Sequence, residues 1–267
     1  MSFFGRSMDA DSEYGRFRQS GFNFEALKAT QAISSATQHH LVKVYATLAG
    51  CSAIAAVGAR THLYSYWLRG GMLSGLLCFL SVMGVLALPH NKATAPMRYG
   101  LLSLFAFCQG LSLGPLIETI LDFYPRVLVT ALVSTTLVFA SFSMSALFSR
   151  RRSWFFLGGL LGSGLSILCW SSLLNVWVQS VALFRAELYI GLALFCGYVI
   201  YDTQLIIEKA ELGYRDIPGD CISLFTDLIG MFIRILAILA DQEEKKRKRS
   251  RHNEYHRRER SSSRQWE

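Results

Sequence analysis

Seven long apolar runs alternate with short polar breaks along the chain, at 41–59, 68–88, 99–120, 127–148, 154–174, 186–207 and 221–240. Each approaches the ~20 apolar residues that a helix needs to cross a ~30 Å hydrocarbon core. The breaks carry charge or turn signals: Arg60 and Arg69, then Pro89-His90-Asn91-Lys92, then Asp122 with Pro125, then Arg150, Arg151 and Arg152, then Gln179 to Arg185, and last the polar stretch from Glu208 to Asp220. Connections this short leave room for one bundle and for no soluble domain. The pattern predicts an all-α fold, a polytopic membrane helical bundle of six to seven transmembrane segments across residues 41–240. A cytosolic N-terminal segment, 1–40, precedes it, and a basic C-terminal tail, 241–267, reads as disordered.

Composition agrees with the pattern. Of 267 residues, 52% are hydrophobic and 17% charged, whereas soluble domains carry about 25% charged residues. The net charge of +8 comes from the end of the chain, where KKRKR at 245–249 is followed by Arg251, Arg257, Arg258, Arg260 and Arg264. A charge excess confined to a tail gives no basic face on a folded domain, so no nucleic-acid partner is expected. Directly after a membrane segment, the same residues are expected to attract anionic lipid headgroups. The first forty residues lack the basic start and immediate apolar run of a cleavable signal. The six cysteines lie in or at the start of apolar runs without a C-x-x-C pair, and read as packing residues.

Lys92 with Arg98, the three arginines at 150–152, and Lys209 with Arg215 fall on one side of the alternation. The excess of basic residues in cytosolic loops then puts the N-terminus in the cytosol. Seven full crossings would carry the basic tail to the far side, whereas a re-entrant last segment would return it; the charge rule favours the second, but long tails translocate regardless of charge, so both stay open. Gly110-x-x-x-Gly114 and Gly158-x-x-x-Gly162 fit the small-residue spacing that brings membrane helices together, and equally the general frequency of glycine in such helices.

Ionisable residues inside the runs are the candidates for chemistry. A carboxylate at the bilayer centre costs at least ~2.5 kcal/mol, so it tends to face a bundle interior or a water path. Asp202 lies near the end of the sixth run, and Asp227 well inside the seventh. Asp220, Asp227, Arg234 and Asp241 recur every seven residues and so share one helix face. Antiparallel packing of the last two segments would bring Asp202 to Asp227. Two carboxyls in one site do not readily ionise together, so such a pair holds one proton and serves as a pH sensor. Ionised, it offers hard oxygens to calcium, although two carboxylates fall short of the six to eight ligands calcium usually takes. No cofactor is indicated.

The sixth run, Gly197-Tyr198-Val199-Ile200-Tyr201-Asp202-Thr203-Gln204 continuing to Glu211, resembles the signature of the Bax inhibitor family. The stretches from Phe105 to Glu118 and from Ser145 to Ser153 are also similar, as is Thr37-Gln38-His39-His40-Leu41-Val42-Lys43-Val44-Tyr45-Ala46. The resemblance implies a bundle of six or seven spans in the endoplasmic reticulum membrane. It also implies suppression of cell death, pH-sensitive leak of stored calcium, and apoptosis-regulating membrane proteins as partners. The family's paired aspartates match Asp202 and Asp227. Two features depart from it. Ser223 stands where relatives often carry an acid, and the basic latch of bacterial relatives has only His90 or Lys92 near its position. His90, Lys92 and Arg234 are the candidate basic partners, with Glu118 and Ser223 as auxiliary positions.

Two other functions compete. A non-transporting membrane platform that binds apoptosis regulators would need no ion path. An intramembrane aspartyl protease would use Tyr201-Asp202 but also needs Gly-x-Gly-Asp, and Asp220 follows Ile217-Pro218-Gly219. No serine, zinc or phosphate-loop constellation accompanies it, so an enzyme is not expected.

Overall fold

The computed structural model describes residues 34–65, 70–91, 93–148 and 155–263. Among the described residues the structure consists of seven helices: α1 (Ser35–Tyr64), α2 (Met72–Ala87), α3 (Ala95–Phe123), α4 (Pro125–Phe148), α5 (Phe155–Val178), α6 (Val181–Glu211) and α7 (Ile217–Ser263). Each overlaps one predicted apolar run, and six are long and apolar enough to span a bilayer. The exception is α2, whose 16 residues extend about 24 Å. The protein is a multi-pass membrane protein.

Its exterior shows the same thing from outside. Leu73, Phe79, Leu137, Ile167, Trp170 and Val176 are all exposed, the inverse of a soluble surface and the arrangement that lipid favours. The interior is built around α7. Leu224, Phe225, Met231 and Leu236 are fully buried there, and the Phe225 ring meets Phe105 of α3 edge-on at 5.6 Å.

Close approach of α1 and α3 depends on missing side chains. A Cβ at Gly110 would overlap the carbonyl of Ala55, and one at Gly114 would overlap the His62 ring. This pair is therefore a true helix-packing motif. The second spacing is not: Gly158 lies under Tyr201, but Gly162 has open space beside it. Only Tyr124 separates α3 from α4, and Pro125 supplies a preset φ at the first helical position.

Successive helices alternate in direction. Arg98 at the start of α3 and His40 near the start of α1 meet Asp216 and Asp220 at the start of α7. Arg185, near the start of α6, meets Asp241 at the far end of the bundle. The last apolar segment is consequently one uninterrupted helix, about 36 Å long over residues 217–240, and not a re-entrant hairpin. Backbone hydrogen bonds satisfied inside a straight helix leave no reason to turn back within the core. Residues after 240 are then at the end opposite Ser35. The tail read as disordered continues as helix to Ser263, with Lys245–Asp241 and Lys248–Glu244 pairs one turn apart at 2.7 and 2.5 Å. Such i,i+4 pairs support a helix whose packing partners have ended. The N-terminal segment read as cytosolic lies outside the described residues up to position 33.

Candidate functional site

The seven-residue stripe of α7 faces α6 along its whole membrane length. Asp220 stands 4.0 Å from Lys209, Arg234 lies over Phe195, and Asp241 pairs with Arg185 at 2.9 Å. Between the first two rungs, the carboxyls of Asp202 and Asp227 face each other. Antiparallel neighbours with matched spacing produce this ladder.

Asp227 is buried, and its Oδ2 has no hydrogen-bond partner among the described residues. Two ionised carboxylates offer four acceptor oxygens and no donor. A proton on either one supplies the missing O–H and converts the contact into a charge-assisted hydrogen bond. Among the described residues, no group of three or more His, Cys, Asp or Glu is arranged to hold a metal ion.

The structure places the candidate basic partners elsewhere. The guanidinium of Arg234 sits 4.3 Å from the Phe195 ring centroid, and its Nη1 donates to the Gly230 carbonyl at 3.1 Å. A side chain at Gly191 would overlap its Nε, so the cation is housed by an aromatic face and a glycine gap, with no aspartate on it. His90 belongs to another cluster: its Nδ1 accepts from Arg98 Nη1 at 2.9 Å and lies 3.4 Å from Asp216 Oδ1. Lys92 lies outside the described residues. Glu118 is at the other end of α3, 3.3 Å from His62, and does not join the pair. Ser223 is half-buried one turn before Asp227.

Two buried polar pairs were not singled out from the sequence. Arg98 donates to both oxygens of Asp216, at 2.7 and 2.6 Å, with both side chains almost fully enclosed. His40 Nε2 and Asp220 Oδ2 are 2.8 Å apart and equally buried. In the sequence Arg98 counts only as a basic loop residue, and Asp216 is one acid within a polar stretch. One signal was available, because Arg98 shares a helix face with Leu102 and Phe105, both buried. Together these groups form a polar file at one end of the bundle. Asp216 and Asp220 stand one turn apart at the start of α7, where the Asp220 N–H donates to the Asp216 carbonyl at 3.0 Å.

The comparisons with known proteins point the same way. The family model described as "Inhibitor of apoptosis-promoting Bax1" matches residues 37–244. The chain is 46% identical to Bax inhibitor 1 of Homo sapiens over 226 residues, covering 85% of this chain and 95% of the human protein. It is 42% identical to Bax inhibitor 1 of Arabidopsis thaliana over 230 residues, 83% of this chain and 90% of that one. A family match across the whole bundle, with animal and plant relatives covered almost end to end, establishes that the chain belongs to the Bax inhibitor family.

Proposed function

We propose that the protein restrains apoptosis from the endoplasmic reticulum membrane, with its N-terminus in the cytosol, and mediates a pH-sensitive leak of calcium through an aspartate-pair sensor. The shared name of its relatives supports the restraint of apoptosis, and the basic residues of the loops support the cytosolic N-terminus. The calcium leak rests on one observation: a buried Asp227 oxygen without a donor, on a carboxyl that faces Asp202.

At neutral pH one proton shared by Asp202 and Asp227 ties α6 to α7 and keeps the seam closed. Acidification puts a proton on each carboxyl. The charge-assisted bond is replaced by a weaker neutral one, the two helices separate more readily, and calcium moves down its gradient past the polar file. Ionised oxygens along that file suit a hard cation, which is cargo here and not a resident cofactor.

The test is calcium efflux from vesicles containing only the purified protein, measured at several pH values. Acid should accelerate efflux for the wild type, and Asp227→Asn should flatten the pH response. A variant that keeps the wild-type profile removes Asp227 from the sensor. Efflux absent from the purified wild-type protein would favour a binding platform for apoptosis-regulating membrane proteins.

A further inference from the structure

A cavity of about 500 Å³ opens at the end of the bundle far from the polar file. Its walls come from the α3–α4 turn and from the part of α7 that leaves the apolar bundle. Arg126, Lys246 and Arg247 contribute three cations to it, against one acid, Glu243. Arg247 is held over the Tyr124 ring with its guanidinium carbon 4.5 Å from the centroid. Lys246 Nζ lies 3.8 Å from Glu243, and Arg126 makes no ion pair among the described residues. The neighbouring lysines behave differently: Lys245 and Lys248 are tied to Asp241 and Glu244 on their own helix. The cations lining the cavity therefore exceed what the chain neutralises, and the excess converges on one space.

Immediately beside this space the surface becomes apolar. Phe123 at the end of α3, and Val129 and Val133 on the first turns of α4, are exposed on the outside of the bundle. A ligand filling the cavity would thus have an anionic head next to a greasy wall.

We infer that this cavity is a binding site for an anionic phospholipid of the surrounding leaflet. Its phosphate sits among Arg126, Lys246 and Arg247, and its acyl chains lie along Val129 and Val133. Arginine matches phosphate oxygens with a fixed fork of donors. The cation–π contact pre-orients Arg247, so less freedom is lost on binding. The apolar wall selects a lipid over free phosphate. The site is independent of the aspartate pair and of the reading given to it.

Native mass spectrometry of the full-length protein, released from detergent with added lipid, tests this. The probes are phosphatidylserine, phosphatidylcholine, water-soluble glycerophosphoserine and inorganic phosphate. Phosphatidylserine should bind about tenfold or more tighter than phosphatidylcholine. The variant R126Q/K246Q/R247Q should lose that preference, whereas K248Q/R249Q/R251Q, with the same change in charge, should keep it. The single variant R126Q, at the exposed start of α4, provides a mild version that leaves α7 intact and should weaken binding several-fold. Equal loss in both triple variants would mean diffuse attraction to the tail and overturn the site. Competition by inorganic phosphate or glycerophosphoserine at the lipid's own concentration would overturn the lipid assignment.

Discussion

The guanidinium of Arg98 and the carboxylate of Asp216 meet through two parallel contacts of 2.7 and 2.6 Å, across 118 positions of sequence. They lock the start of α3 to the start of α7, and the same arginine supports His90 and the carbonyl of Val85 at the end of α2. Three helices thus depend on one cation. Removing one partner of a buried pair leaves the other charge uncompensated, which costs about 3–5 kcal/mol. Arg98→Ala should therefore lower the melting temperature of the purified protein sharply. A melting temperature equal to the wild type would show that this contact is not structural.

At the aspartate pair the opposite is expected. Asp227→Asn replaces an acceptor lacking a donor with an amide that brings its own N–H, so the fold should be retained or made more stable. The effects of Asp202→Asn and Asp227→Asn should not add, because each removes the same shared proton site. Chemical or thermal melts of the two single variants and the double variant measure this, separately from any flux assay. Strict additivity would show that the carboxyls are not coupled.

Arg234 provides a control. It rests on Phe195, a contact worth up to about 2 kcal/mol when desolvated, and no described aspartate faces it. Arg234→Gln should lower stability while leaving the pH midpoint of calcium efflux where it is in the wild type. A displaced midpoint would return Arg234 to the role of basic partner.

The two glycine motifs should respond unequally. Gly110→Leu pushes a side chain into the Ala55 carbonyl and should cost about 3 kcal/mol or more through separation of α1 and α3. Gly162→Ala, with nothing within 4 Å of its added Cβ, should be neutral or slightly stabilising. Thermal melts of the two variants side by side give the comparison.

Because the helices alternate in direction, Ser35 and the residues after 240 lie at opposite ends of the bundle. Short epitopes placed before Ser35 and after Ser263 should therefore show opposite accessibility in sealed microsomes. Both epitopes protected, or both exposed, would reinstate an even number of crossings.

Much of this protein was legible from its residues alone. Apolar runs near membrane length dictate helices, because lipid offers no partner to an unpaired backbone group. The seven-residue recurrence of Asp220, Asp227, Arg234 and Asp241 likewise defines one face of a helix before any neighbour is known. Local order along one chain segment is enough for both. What occupies that face was a different matter. That Arg234 meets an aromatic ring, that Arg98 and not His90 holds Asp216, and that Asp220 faces His40 from 180 positions away are facts of helix register between distant segments. Charge type and spacing do not encode them, since a cation can be satisfied by a carboxylate, a carbonyl or a ring face. Whether the last segment turns back was left open by charge alone, for a related reason. The distribution of positive charge addresses which side a loop prefers, but the straight course of α7 is decided by the apolar partners that pack along its whole length.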